Sequence, residues 1–200
     1  MSGNINKTDL SEALKQIGAQ AERAAKIIRR IRNFSRGVEP ERTLADISQI
    51  IHDVAVIADF ETRRHNISMN FATSSEALPV VVDRIQINQV LWNLIINAIE
   101  AITSSNSTRR EIEFSSSRID ENYAEIAVRD TGPGLANEDL QCIFDAFFTR
   151  KPEGMGMGLA ISRSIVESHG GHIWVARNSD CGLTFHVKLP LAKESMPHES

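Results

Sequence analysis

Residues 88–102 read NQVLWNLIINAIEAI. Val90, Leu91, Leu94, Ile95 and Ala98 recur at the spacing of one helix face. The helix expected from this pattern runs from Asp83 to Ile102. Two carboxamides, Asn93 and Asn97, stand one turn apart inside the apolar run and share a side. An amide amid so much hydrocarbon loses its water and needs a partner. A polar group on another helix would serve. So would a hydrated Mg²⁺, which takes oxygen ligands, keeps most of its waters and can be held by one amide oxygen plus phosphates.

Two further stretches carry chemistry. In VRDTGPGL, residues 128–135, Asp130 continues the alternation of Ala124, Ile126 and Val128 to a strand end. A carboxylate held there, followed by Gly132 and Gly134, can accept a hydrogen bond from an amino group such as that of adenine. The same residues also make a tight turn. In EGMGMGLAISRSIVESHGG, residues 153–171, Gly154, Gly156 and Gly158 alternate with single methionines and run into a helix expected over Leu159 to His169. Glycine lets backbone N–H groups approach a ligand closely. The unpaired N–H groups of a helix start favour an anion such as phosphate. No Gly-Lys-Ser/Thr follows, so this is not a Walker loop, and no strand immediately precedes it, as a dinucleotide fingerprint requires. A flexible hinge is the plainer alternative.

The 200 residues suit one domain with an appendage. A net charge of -4 and a pI of 5.9 give no global field toward nucleic acid or anionic membrane, and no nucleic-acid partner is expected. The longest apolar run is broken by Asn93, Asn97 and Glu100, so no membrane span is expected. Cys142 and Cys181 make neither a disulfide framework nor a four-ligand zinc site; a reducing compartment, the cytoplasm, is expected.

Toward the N-terminus, Leu10, Leu14, Ile17, Ala21, Ala24, Ile28 and Ile31 alternate steps of four and three. That is the period of a bundle seam, and a lone helix of this kind needs a partner. Its other face carries Arg23, Lys26, Arg29, Arg30, Arg32 and Arg36, either a solvated basic face or a docking surface for an acidic partner. Domain boundaries are expected at 1–40 for this helix, 41–192 for the main domain and 193–200 for a polar tail. Further elements are expected as a helix from Asp46 to Arg64 and strands over Ile67 to Ala72, Glu111 to Arg118, Tyr123 to Asp130, His172 to Arg177 and Leu183 to Leu189. Helices and strands are interspersed without a strict βαβ rhythm. The fold class is therefore α+β: a two-layer α/β sandwich, a mixed sheet covered by helices on one face, preceded by a long N-terminal helix.

Together these motifs resemble the catalytic ATP-binding domain of bacterial sensor histidine kinases, a fold shared with type II topoisomerase ATPase subunits and related heat-shock chaperones. The resemblance covers about Thr43 to Pro190. QVLWNLIINAIEA resembles the asparagine box, DTGPG the first glycine box, IFDAFFTRK the phenylalanine box, GMGMGL the second glycine box and GLTFHVKLP the closing strand. It implies ATP and Mg²⁺ as cofactors. Asn97 would ligate the metal, with Asn93 beside it near the phosphates. Asp130 would read the adenine amino group, Gly132 and Gly134 would shape the pocket floor, and Thr184 would support the adenine end. Gly154, Gly156 and Gly158, running into Leu159, would cradle the triphosphate. Phe144, Phe147 and Phe148 would anchor a mobile lid over roughly Leu135 to Met157, from which Lys151 would reach the phosphates. Arg150 stands where many relatives have threonine.

The resemblance also implies a phosphoacceptor histidine in a first dimerisation helix. None of His52, His65, His169, His172, His186 and His198 has the expected flanking pattern, and residues 8–36 resemble the second helix of that hairpin. The acceptor is therefore expected from another segment or another chain. His52 is read as structural and His169 as a helix C-terminal dipole partner. The expected partners are the acceptor helix, a response regulator and a second copy of the intact protein through a four-helix bundle. Gyrase-type ATPases place a glutamate where Asn93 stands; an amide is no base, so transfer is favoured over hydrolysis. The alternatives are an acceptor-less nucleotide-binding regulatory module and a serine kinase of the anti-sigma type.

Overall fold

Asp46 joins the first strand to the first helix. It closes β1 (Thr43–Asp46) and caps α1 (Ile47–Arg64), accepting from the Ser48 N–H at 2.8 Å through Oδ1 and from the Leu78 N–H at 2.8 Å through Oδ2. These coordinates are a computed structural model that describes residues 41–105, 108–150 and 154–192. The helix seam from Leu10 to Ile31, the basic face beside it, the tail over 193–200 and Lys151 lie outside the described residues.

The chain continues through β2 (Ser68–Ala72), β3 (Pro79–Val82), α2 (Arg84–Thr103), β4 (Glu111–Arg118) and β5 (Tyr123–Asp130). It ends with α3 (Asn137–Cys142), α4 (Gly158–Ser168), β6 (His172–Arg177) and β7 (Leu183–Pro190). The main sheet has the order β2-β4-β5-β7-β6, with β2 and β4 parallel and the other neighbours antiparallel. β1 and β3 form a separate antiparallel pair. They were not expected from sequence, because four residues are too few to display an alternation and Pro79 opens β3. The short α3 falls inside the stretch expected as a lid.

Helices α1, α2 and α4 lie side by side with α2 in the middle: α1 touches β2 and β4, α2 touches β4 and β5, and α4 touches β6 and β7. The α2 residues Ile87, Val90, Leu91, Leu94, Ile95, Ala98, Ile99 and Ile102 are buried, which sets the helix lengthwise on the sheet. Each fully buried Leu, Ile or Val contributes about 1.5–3 kcal/mol. From below, Ile112 and Phe114 of β4, Ala124, Ile126 and Val128 of β5, and Phe185, Val187 and Leu189 of β7 meet them. This is the expected two-layer α+β arrangement. The intervening strand residues belong to the opposite sheet face, where Arg129, Thr184 and His186 are only partly covered.

Candidate functional site

Asp83 caps α2, accepting from the N–H groups of Ile85 at 2.9 Å and Gln86 at 3.1 Å. Its own N–H donates to His169 Nε2 at 3.1 Å, while His169 Nδ1 lies 2.8 Å from the Ile165 carbonyl oxygen. Nε2 thus accepts, and Nδ1 is the nitrogen that donates. His169 is 4% exposed and ties the end of α4 to the start of α2. His169, expected as a partner of the helix C-terminus, sets its Nδ1 against the Ile165 carbonyl in the last turn of α4. His52 is exposed on α1, so it fills no place in the core.

Farther along α2, Asn93 Nδ2 donates to Ser162 Oγ at 3.1 Å, and Ser162 Oγ donates to the Gly158 carbonyl at 3.0 Å. A Cβ at Gly158 would lie 2.5 Å from Asn93 Oδ1. Glycine is therefore required for α4 to approach the amide so closely. The first turn of α4 follows Met157, which supplies no side-chain cap. Asn97 is half-buried one turn along α2.

Asp130, at the end of β5, is 3% exposed. Its Oδ1 accepts from the Gly132 N–H at 2.8 Å and the Leu183 N–H at 3.3 Å. Among the described residues Oδ2 has no hydrogen-bond partner. Burial pushes the Asp130 carboxyl above the ordinary range, against the pull of those two N–H groups and of Arg129. Gly132 packs on α2, where its Cβ would meet Ala101 Cβ at 2.9 Å. Gly134 has φ +73, which glycine adopts readily. The asparagine-bearing helix thus adjoins both the acidic turn and the glycine-led helix.

Thr184 is differently placed. It pairs with Arg129 on the sheet face away from the helices, and its hydroxyl donates to Asn178 Oδ1 at 2.6 Å. Its link to Asp130 is indirect, through Asn178. The turn between β6 and β7 was missed in the sequence, where Asn-Ser-Asp-Cys-Gly reads only as a turn. Its Gly182 has φ +78 and lies so close to Asp130 that a Cβ would stand 2.0 Å from the Asp130 carbonyl oxygen.

The described part of the stretch expected as a lid makes specific contacts. Phe144 packs edge-on against Phe185, with centroids 6.4 Å apart, and so anchors to the core. Phe147 is 75% exposed with φ 70, so it anchors nothing among the described residues. Its N–H donates to the Gly156 carbonyl at 3.0 Å, and the Phe148 carbonyl lies where a Cβ on Gly156 would fall, at 2.4 Å. Arg150 donates to buried Asp139 at 2.7 Å, an ion pair within this stretch. Leu159 packs against the core from the first turn of α4, and Gly154 is half-buried just beyond the undescribed residues 151–153.

Residues 82–193 match the model of the histidine kinase-, DNA gyrase B-, and HSP90-like ATPase family, more than half of the chain. The chain belongs to this family. FixL, a sensor protein of Bradyrhizobium diazoefficiens, is 38% identical to it over 97% of this chain and 38% of its own length. The chain thus spans well under half of that curated relative. The catalytic domain of the histidine kinase ThkA superposes with a TM-score of 0.67 at 36% identity, covering 76% of this chain and 96% of that one. A structure of ThkA in complex with the response regulator protein TrrA gives 0.73 at 30% identity, over 96% of this chain and 55% of that one.

In this ATPase domain a cavity of about 400 Å³ opens between the 133–136 turn and the turn carrying Asn178 and Cys181. Neither Asn93 nor Asn97 lines it, so it adjoins the motif cluster without containing it. Among the described residues no group of three or more His, Cys, Asp or Glu side chains is placed to hold a metal. That donor set does not make a resident metal cage. A hydrated Mg²⁺ brought by a polyphosphate keeps most of its waters and needs only one or two protein oxygens, so it would require no such cage. Among the described residues no helix is long and apolar enough to cross a membrane.

Proposed function

We propose that this ATPase domain binds Mg-ATP in the cytoplasm and passes the γ-phosphoryl group to a histidine of a partner helix, for relay to a response regulator. The observation that carries the reading is Asp130: a buried carboxylate with one oxygen fixed by two backbone N–H groups and the other without a hydrogen-bond partner among the described residues. Such an oxygen accepts from an amino group, and the adenine amino group supplies the donor. Gly132 and Gly134 let the base approach, while Gly154, Gly156, Gly158 and Leu159 lead into an uncapped helix start suited to phosphate. Phe148 and Lys151 belong to the segment that would cover the nucleotide. Asn97 would hold Mg²⁺, which would neutralise developing charge on the phosphates.

The chain's own contribution is positioning. Asn93 is held by Ser162 beside the glycine-led helix and, being an amide, activates no water. An imidazole nitrogen brought into line with the γ-phosphorus then attacks with its lone pair as the bond to the β,γ-bridging oxygen breaks. The regulator as partner is supported by the ThkA–TrrA complex, and a homodimer by the seam of Leu10 to Ile31.

The test is incubation with labelled Mg-ATP and a separate acceptor hairpin, with Asn97→Ala alongside. Label on histidine, and loss of Mg-dependent ATP affinity in the variant, are expected. Label on serine, or ATP binding without any transfer, would overturn the kinase assignment. Identical Mg-ATP titrations for wild type and variant would remove Asn97 as metal ligand.

A further inference from the structure

Asn178 lies in the β6–β7 turn, outside the motifs that carry the resemblance, yet its side chain is fully engaged. Nδ2 donates to the carbonyl oxygens of Asp130 at 3.0 Å and Cys181 at 2.8 Å, and Oδ1 accepts from Thr184 Oγ1 at 2.6 Å. Its backbone N–H donates to the Gly182 carbonyl at 3.2 Å. The reversed carboxamide would set its oxygen against two carbonyl oxygens, so the network itself assigns the orientation.

The reason for this engagement lies in the sheet. The β5–β7 ladder ends with Arg129 opposite Thr184. The next carbonyl, that of Asp130, has no rung to join on that side, and the Asn178 amide takes it. Holding that carbonyl fixes the backbone at Asp130 and with it the direction of the carboxylate. The same turn delivers the Leu183 N–H to Oδ1 and sets Gly182 against the Asp130 backbone. From outside, Arg109 at 2.9 Å and Arg129 at 2.5 Å hold Asp180 of the turn.

We propose that Asn178 is a positioning residue for adenine recognition, acting through the backbone and carboxylate of Asp130. This rests on the nucleotide-pocket reading above. A carboxylate oxygen must meet the amino group within about 2.7–3.2 Å and in line with its N–H. A carbonyl released at Asp130 lets both distance and direction drift. The effect is expected at the amino end of the base, because the motif residues that Asn178 touches are Asp130 and, in the closing strand, Gly182 and Thr184.

The experiment uses the whole 200-residue chain. Mg-ATP and the triphosphate of purine riboside, which lacks the 6-amino group, are titrated calorimetrically into wild type, Asn178→Ala, Asp130→Asn and the double variant. Asn178→Ala is expected to weaken Mg-ATP about tenfold, the equivalent of one lost hydrogen bond. It should leave the purine analogue unchanged within about twofold and add nothing to Asp130→Asn. Equal weakening of both nucleotides, or full additivity in the double variant, overturns the proposal and leaves Asn178 a purely structural turn residue. Unchanged Mg-ATP affinity in Asp130→Asn overturns the pocket reading instead, and the proposal with it. Thr184→Val keeps the carboxamide and removes only its hydroxyl donor, so it remains informative should Asn178→Ala fail to fold. It is expected to show the same selective loss at about threefold, and a loss shared by both nucleotides overturns the proposal equally.

Discussion

Replacing Asp130 by asparagine should move folding and ligand binding in opposite directions. The carboxyl is 3% exposed, and burial raises its pKa. In the folded chain it therefore releases its proton at higher pH than in the unfolded chain. Between the two values the folded state binds more protons, so stability falls as pH rises through the raised value. Above that raised value the fold carries a buried anion at a net cost. Asparagine has the same shape, and its Oδ1 can go on accepting from Gly132 at 2.8 Å and Leu183 at 3.3 Å. Asp130→Asn is thus expected to melt no lower than wild type above that value and to lose this part of the pH dependence.

Binding should suffer, because Nδ2 then stands where Oδ2 stood and meets the adenine amino group donor to donor. Loss of a hydrogen bond to a charged group, about 1.5–3 kcal/mol, corresponds to a rise of about 10- to 150-fold in Kd. In the wild type, Mg-ATP affinity should also decline as pH falls through the raised carboxyl value, since the neutral acid is no longer an anionic acceptor. The variant should not share that decline. Calorimetric titrations over a pH series that rises from the ordinary carboxylate range, paired with thermal melts, read both effects. A variant that melts well below wild type and binds Mg-ATP as tightly refutes the reasoning.

Three further substitutions probe the supporting contacts. Gly158→Ala puts a methyl 2.5 Å from Asn93 Oδ1 and should push that amide off Ser162. Mg-ATP affinity should fall about tenfold while stability changes by less than about 1 kcal/mol, because alanine's helix propensity offsets the lost hydrogen bond. Chemical denaturation and nucleotide titration separate the two effects, and unaltered affinity would detach Asn93 from the site. Gly182→Ala combines φ +78 with a 2.0 Å approach to the Asp130 carbonyl, so a loss of about 3 kcal/mol or more is expected in a urea melt. A wild-type midpoint would show that the turn is free to move. His169→Ala leaves the Asp83 N–H without its acceptor and should cost about 1–3 kcal/mol; an unchanged unfolding midpoint would mean that the α2–α4 tie carries no weight.

The periodic elements were legible from the residues alone. Helices α1, α2 and α4 and strands β4 to β7 each repeat an apolar spacing across several turns or rungs, a property of neighbours in the chain. Asp46 and Asp83 likewise announce their helices, since a cap acts on N–H groups two or three residues away. The four-residue strands β1 and β3 were not legible, because nothing that short repeats. The motif residues could be named by resemblance, yet which of them touch could not. Thr184 was assigned to the adenine end, but strand alternation turns its side chain to the other sheet face. Arg150, whose partner the residues left open, finds Asp139.

The remaining contacts arise from strand order. Asn178 reaches Asp130 across 48 residues, and His169 reaches Asp83 across 86. Neither pair has any local signature, since a carboxamide in a turn and a histidine at a helix end look alike in countless chains. Placing β7 between β5 and β6 carries the turn to the end of β5, and setting α4 beside α2 carries the imidazole to the cap. Local spacing chose the elements; the way they pack chose which polar groups lost their water together and had to satisfy one another.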